Sequence, residues 1–206
     1  MKDKIYLYPV WVRIWHTINA ILIILLIISG LCLQYASESY TIISFNDAVK
    51  IHNISGIILV VNYIFFLVWN RFTSNGQYYQ FALKGLWVRV TKQLRYYSIG
   101  IFKKEEPPFP ININRKFNPL QKLSYVFVMY IIIPIIIITG IMLFFPDLLL
   151  ADVLGITGVL HLTDLMHIVM GFFCSIFMLV HVYFCTIGKT PGSNFKSMIN
   201  GWHEAH

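Results

Sequence analysis

The stretch "HIVMGFFCSIFMLVH" at residues 167–181 places a histidine at each end of a run of uncharged, mostly apolar residues. An ionisable group within an apolar helix is costly, and it therefore indicates a functional role with a defined partner. In a helix, residues fourteen apart are separated by about 21 Å along the axis, and their directions differ by only about 40°. Both imidazoles therefore leave nearly the same face of one helix, at two different depths.

The rest of the chain has the composition of a membrane protein. Of its 206 residues, 57% are apolar and only 12% are charged. Crossing the bilayer as a helix takes about twenty apolar residues, and four stretches without Asp, Glu, Lys or Arg are about that long: 14–33, 51–69, 123–145 and 165–187. We predict an all-α membrane protein, a bundle of four transmembrane helices forming one domain over residues 1–206. Its helices are expected over about 11–35, 48–70, 119–145 and 160–187.

The distribution of basic residues predicts the orientation of these helices. Fifteen of the sixteen Lys and Arg residues lie in the N-terminal tail, in the segment 71–122 or after the fourth helix. By the positive-inside rule, both termini and the loop 71–118 are cytoplasmic in a bacterial inner membrane. The segment 85–100 mixes aromatic and aliphatic residues with basic ones, which predicts a helix lying in the membrane interface. The net charge of +7 is thus a topology signal, and no nucleic-acid partner is expected.

Four histidines fall inside the predicted helices, at two matched depths. His16 and His181 lie at the cytoplasmic level, whereas His52 and His167 lie at the periplasmic level. Neutral imidazoles from facing helices bind haem iron axially. We therefore expect the bundle to enclose two b-type haems, with these four histidines as the axial ligands in those two pairs. The alternative for each histidine is a buried, hydrogen-bonded side chain or a proton relay.

Two glycines follow the periplasmic histidines at the same spacing. His52 precedes Gly56 and His167 precedes Gly171, each by four residues. Residues four apart lie on one face of a helix, so each glycine leaves a gap beside the imidazole in which a porphyrin could lie. Glycine is also common where membrane helices pack closely, and this second reading remains open.

Other polar residues near the helix ends have less specific signals. Arg13 precedes His16 by one turn and is a candidate partner for a haem propionate; snorkelling to lipid headgroups is the alternative. His161 is expected at the periplasmic surface or at an interface. His203 and His206 belong to a polar tail, and no role is assigned to them.

Four segments carry a resemblance to a known family. They are "RIWHTINAILIILLIISGL" at 13–31, "IHNISGI" at 51–57, "FNPLQKLSYVFV" at 117–128 leading to "TGIML" at 139–143, and residues 167–181 followed by "GKTPGSNFKSMINGW" at 188–202. With these segments, nearly the whole chain resembles the di-haem cytochrome b subunits of respiratory enzymes. Those enzymes are formate dehydrogenases, nickel-iron hydrogenases and thiosulfate-reductase-type complexes.

The resemblance implies electron transfer within a hetero-oligomer. A periplasmic subunit bearing iron-sulfur clusters or multihaem cytochrome c would exchange electrons with menaquinone or ubiquinone through this chain. The resemblance also implies a quinone site on the cytoplasmic side, where Asn118 and Gln121 match an Asn and a Gln of the formate dehydrogenase branch. A glycine of that branch is Leu120 here, which alters the expected pocket. From the residues alone, Asn118 before Pro119 is equally a helix N-cap.

Two other functions fit the same histidines. One is a stand-alone di-haem cytochrome that reacts with a small molecule such as superoxide, and the other is a haem-free transporter that uses the histidines as proton relays. Co-purification of a periplasmic redox subunit would distinguish the respiratory role from the first alternative. A reduced-minus-oxidised spectrum without b-type bands would favour the second.

Overall fold

A computed structural model describes residues 4–35, 43–80, 82–148 and 158–204. Within these ranges, four helices are long and apolar enough to cross a membrane: Val10–Gln34, Phe45–Phe72, Pro119–Phe144 and Val159–Thr186. Their ends differ from the predicted ones by at most three residues. The described part of the chain is mostly helical, as an all-α membrane protein requires.

The helices are labelled in chain order. They are α1 (Val10–Gln34), α2 (Phe45–Phe72), α3 (Leu86–Arg95), α4 (Pro119–Phe127), α5 (Ile133–Phe144), α6 (Val159–Thr186) and α7 (Ser193–Asn200). Short 3₁₀ turns cover Ser74–Tyr79 and Pro146–Leu148, and the strands are β1 (Lys4–Tyr6) and β2 (Trp202–Glu204). A π-helical turn over Tyr96–Gly100 extends α3. The turn ends at Gly100, the residue at which the predicted interfacial helix also ends.

The third span is not a uniform α-helix. A π-helical turn over Val128–Ile132 separates α4 from α5, and Pro134 lies in the first turn of α5. Proline has no backbone N–H and cannot bond to the carbonyl four residues earlier. The wider turn lies where this hydrogen bond is lost, a common position for such an interruption.

The chain divides into two compact units. The terminal unit comprises the residues up to Arg13, Trp69–Met129 and the residues from His181 onward. The span unit comprises Ile14–Val68 and Tyr130–Val180. Fifteen of the sixteen Lys and Arg residues belong to the terminal unit.

The terminal unit holds the two ends of the chain together. Strands β1 and β2 pair antiparallel, with Ile5 opposite His203. Gly201 has φ 87°, and a Cβ at this position would lie 2.6 Å from the ring of Tyr6. Its carbonyl accepts hydrogen bonds from the N–H groups of Leu7 and Tyr8 at 3.0 and 3.2 Å. A side chain at Gly201 would therefore disrupt the contact between the first and last described segments.

The span unit is apolar outside and polar at specific points inside. Trp15 stacks on Phe66 with ring centroids 4.5 Å apart, and the Trp15 indole N–H donates to the Asn62 carbonyl at 3.2 Å. Ser29 and Thr139 are buried, whereas many large aliphatic side chains are exposed. An apolar exterior is expected where lipid is the solvent, and polar groups must then find partners inside.

Candidate haem-binding site

His52 of α2 and His167 of α6 lie side by side in the span unit. Their ring centroids are 6.1 Å apart and the ring planes are inclined by 72°. Imidazole nitrogens bind metals such as zinc at about 2 Å, so two nitrogens on opposite sides of one metal are about 4 Å apart. Ring centres are farther apart than the ligating nitrogens. The observed separation is therefore compatible with one metal held between the two rings.

A serine hydroxyl fixes the tautomer of the first histidine. Ser29 Oγ lies 3.0 Å from His52 Nδ1 and donates its own proton to the Leu25 carbonyl at 2.6 Å. Because the hydroxyl proton is used there, the oxygen accepts a proton from Nδ1–H. The lone pair then lies on Nε2 of His52, as metal ligation by that nitrogen requires.

The second histidine has the same arrangement on a different pair of helices. Thr139 Oγ1 lies 3.0 Å from His167 Nδ1 and donates to the Ile135 carbonyl at 2.7 Å. Helix α1 thus orients the histidine of α2, and α5 orients the histidine of α6. Neither hydroxyl was among the site residues predicted from the sequence. The signal present in the sequence is a Ser-Gly pair at 29–30 and a Thr-Gly pair at 139–140.

The glycine of each pair allows the imidazole to approach. A Cβ at Gly30 would lie 3.4 Å from His52 Cε1, and a Cβ at Gly140 would lie 3.2 Å from His167 Cε1. At Gly140 the His167 ring would have to shift by a few tenths of an ångström to admit a Cβ, whereas at Gly30 the Cβ would be at the lower limit of ordinary van der Waals contact with His52. The two glycines therefore permit the contacts that Ser29 and Thr139 make.

Gly56 and Gly171 have the opposite surroundings. A Cβ at either glycine would meet nothing within 4 Å. Glycines that serve helix packing have backbone or side-chain atoms close by, because small residues let helices approach. These two glycines instead border open space on the helices that carry His52 and His167, where a flat macrocycle would need room.

The donor set fits a haem better than a bare metal ion. Among the described residues, no group of three or more His, Cys, Asp and Glu side chains could hold a metal ion. Two imidazoles supply only the axial positions, and a porphyrin supplies four further nitrogens. The paired rings, their oriented Nε2 atoms and the space beside Gly56 and Gly171 together fit a b-type haem.

His181 has a different partner, in the terminal unit. Its Nδ1 lies 3.3 Å from the Tyr125 hydroxyl, and the two rings make an edge contact with centroids 5.5 Å apart. Cys185 Sγ lies 3.8 Å from His181 Nε2. His16 is a half-buried residue of α1 in the span unit. The pairing of His16 with His181 stays a prediction.

The comparisons with known proteins identify the family of this chain. The family model of the prokaryotic cytochrome b561 matches residues 7–201. The chain belongs to the prokaryotic cytochrome b561 family. It is also 38% identical over 201 residues to YdhU of Escherichia coli (strain K12), a protein named as a candidate cytochrome, and the match covers 98% of this chain and 75% of YdhU.

Membership of the cytochrome b561 family confirms the predicted class of protein. The family binds b-type haem and functions in transmembrane electron transfer. With its four apolar helices, this cytochrome is a multi-pass protein of the bacterial inner membrane, as its composition predicted. The family match thus supports a b-type haem as the cofactor, whereas the residues that bind it stay a prediction.

The residues predicted to bind a propionate or a quinone have structural partners in this cytochrome. The Arg13 guanidinium donates to the Ile199 carbonyl. Asn118 Oδ1 accepts from the Gln121 N–H at 2.9 Å, and Gln121 Oε1 accepts from the Asn118 N–H at 3.1 Å. This reciprocal capping box begins α4. The propionate and quinone roles stay predictions beside these structural ones.

The Asn118 amide also reaches a tyrosine outside the membrane-spanning helices. Its Nδ2 donates to the Tyr97 hydroxyl oxygen at 2.8 Å. Burial raises the pKa of Tyr97, so the phenol stays protonated and can donate a hydrogen bond in turn. The capping residue of α4 is therefore linked to the segment that follows α3.

Two of the remaining three histidines lie within the described residues. His161 is exposed on α6. His203 is buried in β2, opposite Ile5. His206 lies outside the described residues. No ligand role is proposed for these three histidines.

Proposed function

We propose that this cytochrome carries electrons across the inner membrane between a periplasmic redox subunit and the quinone pool. The observation that carries the proposal is the His52 and His167 pair, each ring oriented by a hydroxyl of another helix. Two imidazoles on one iron occupy both axial positions, which suits electron transfer better than binding of a substrate at the metal. The same consideration disfavours a stand-alone enzyme that binds a small molecule at the iron.

We propose that the chain holds two b haems, which supply one-electron chemistry when bound. His52 and His167 are the proposed ligands of one. His16 and His181 are the proposed ligands of the other, on the strength of their matched depth in the sequence. Tyr125 supports this role for His181, because its hydroxyl lies within reach of the ring nitrogen that would not bind iron.

We propose that both termini are cytoplasmic. Pairing of β1 with β2 keeps the chain ends on one side, and the unit that contains them holds nearly all the basic residues. Positive charge favours the cytoplasmic side. A quinone site that uses Asn118 and Gln121 would then lie at the cytoplasmic face.

The proposed quinone is menaquinone or ubiquinone, bound through the amide of Gln121. The Oε1 atom of this side chain already accepts a hydrogen bond from the Asn118 N–H in the capping box. Its Nε2 makes no hydrogen bond to any residue that the structure describes, so its N–H groups can donate to a quinone carbonyl. The proposed periplasmic partner bears iron-sulfur clusters or multihaem cytochrome c, which makes the assembly a hetero-oligomer.

The test is purification from the native membrane under mild detergent. We expect b-type bands in the reduced-minus-oxidised spectrum, two haems per chain and a co-purifying periplasmic redox subunit. His167→Ala and His181→Ala should each lose one haem, and different ones. A preparation without b-type bands, or variants with the haem content of the parent, would refute the ligand assignment. Full haem content without any redox partner would favour the stand-alone alternative.

A further inference from the structure

The terminal unit contains a cavity of about 240 Å³ beside the start of the third span. Four basic side chains contribute to its lining: Arg89, Arg115, Lys116 and Lys122. No Asp or Glu is among the described residues that line it. Like charges gathered without counter-charges repel one another, and an anion in the cavity would relieve this repulsion.

The basic side chains are held in place by uncharged groups. The Arg89 guanidinium donates to the Lys84 carbonyl at 2.7 Å and to the Ala82 carbonyl. The Arg115 guanidinium lies over the Phe109 ring, 5.6 Å from its centroid. Carbonyl dipoles and aromatic faces fix these cations without neutralising them. The cavity therefore keeps its positive charge.

Lys116 adds a buried cation to the same wall. Its side chain is 2% exposed, and its ammonium donates to Asn75 Oδ1 at 2.9 Å. The ammonium also lies over the ring of Tyr8, 4.7 Å from the centroid. Burial lowers the pKa of Lys116 to about 8. A nearby anion would favour its charged form.

Glu105, an acidic residue of the same unit, is engaged with another basic residue. Glu105 forms an ion pair with Arg95 at 3.2 Å, and neither residue lines the cavity. None of the described residues that line the cavity therefore supplies a counter-charge.

The cavity adjoins the beginning of the third span, where lipid headgroups are expected. Pro119 and Lys122, in the first turn of the third span, contribute to the lining. Leu83, which precedes α3, and Trp87 and Val88 in α3 are 77%, 75% and 71% exposed. Large apolar side chains exposed beside basic ones are typical of a segment inserted in the membrane interface.

We propose that this cavity binds the phosphate group of an anionic phospholipid. Guanidinium and ammonium groups are the side chains that bind phosphate most strongly. The cavity is smaller than the roughly 300 Å³ and more of drug-sized ligand sites, which suits a headgroup phosphate. The adjoining exposed apolar residues favour a lipid over free phosphate, since acyl chains can cover them. Lipid binding is independent of the proposed electron transfer and is measured without activity.

The test uses the full haem-loaded chain in detergent and native mass spectrometry. Short-chain phosphatidylglycerol is titrated against phosphatidylcholine of the same chain length, with inorganic phosphate in a third series. The variant Arg115→Gln with Lys122→Gln removes two cavity cations. Lys103→Gln with Lys104→Gln is the matched control, because both lysines are exposed and neither lines the cavity. The haem spectrum of each protein checks its folding.

We expect phosphatidylglycerol to bind more tightly than phosphatidylcholine. The cavity variant should lose about tenfold or more in phosphatidylglycerol affinity, since each basic residue near an anionic surface contributes about fivefold. The control should bind like the parent. Equal binding of the two lipids, an equal loss in the control, or displacement of the lipid by millimolar inorganic phosphate would overturn the proposal.

Discussion

Thr139 Oγ1 lies 3.0 Å from Nδ1 of His167. Because the same hydroxyl donates its proton to the Ile135 carbonyl, it can only accept from the imidazole. One side chain of the third span thereby favours the tautomer of a fourth-span histidine in which Nε2 carries the lone pair. Ser29 has the same relationship to His52 across the first and second spans.

We predict that Thr139→Val weakens haem binding at the His52 and His167 site. Valine keeps the branched shape but removes the acceptor, so His167 loses both orientation and basicity. Loss of such a supporting hydrogen bond typically reduces metal-site affinity about 10- to 100-fold. A less basic axial ligand also stabilises ferric haem less, so the midpoint potential should rise. Haem per chain and potentiometric titration measure the two effects.

Thr139→Ser is the matched control for this prediction. Serine keeps the hydroxyl that donates to Ile135 and accepts from His167, so haem content and potential should stay close to those of the parent. If valine and serine variants both retained the parental haem content and potential, the hydroxyl would have no role in orienting the ligand.

The glycines of the site should respond in a position-specific way. At Gly171 an added Cβ meets nothing within 4 Å, so Gly171→Ala should fold and bind haem almost normally. Gly171→Leu should fold but lose haem, because the larger side chain fills the space beside His167. At Gly140 even alanine lies 3.2 Å from the His167 ring, so Gly140→Ala should already lower haem content. Absorbance at the Soret band per chain, with circular dichroism for folding, gives both readings.

The comparison of Gly171→Leu with Gly140→Ala separates two roles for glycine. A role in helix packing predicts that Gly171→Leu unfolds the span unit, with loss of helical signal. A role in haem clearance predicts loss of the Soret band alone. Normal haem content in Gly171→Leu would contradict the clearance role directly.

The four spans and the shared depth of His52 and His167 could be predicted from the sequence for clear physical reasons. About twenty apolar residues can hardly be anything but a membrane helix, and His52 and His167 share a depth that follows from counting residues along antiparallel helices. A shared depth in the membrane does not determine how each helix is rotated about its own axis. That the two rings meet, with centroids 6.1 Å apart, is information from the structure.

The supporting residues could not be predicted in the same way. A serine or threonine in a helix is ordinarily satisfied by its own preceding turn, so the Ser29 and Thr139 hydroxyls looked ordinary in sequence. In the sequence, Lys116 is only one of the basic residues that predict the orientation of the helices. Nothing in its neighbours along the chain predicts that this lysine will be 2% exposed. Conversely, Asn118 and Gln121 have the spacing of a capping box, and that box is present.

Tyr125→Phe should affect the haem bound by His181 and leave the other one unchanged. The Tyr125 hydroxyl is 3.3 Å from His181 Nδ1, which is longer than the two contacts of the span unit. We therefore expect a smaller rise in midpoint potential than Thr139→Val produces, and little loss of haem. Potentiometry that resolves the two haems measures this. A shift confined to the haem that His167→Ala removes would show that the assignment of Tyr125 is wrong.

Lys116→Met should change how the stability of the protein depends on pH. Burial lowers the pKa of Lys116 from 10.5 to about 8 in the folded protein. Between pH 8 and 10.5 the unfolded chain binds more protons at this residue, so the parent gains stability as the pH rises through that window. The gain is at most about 3 kcal/mol, and methionine abolishes it. In detergent, the Tm of the parent minus the Tm of the variant should therefore increase from pH 8 to pH 10. Lys103→Met, at an exposed lysine, is the control and should show no such trend. If the Tm difference for Lys116→Met did not change with pH, Lys116 would titrate like a solvated lysine and the prediction would be wrong.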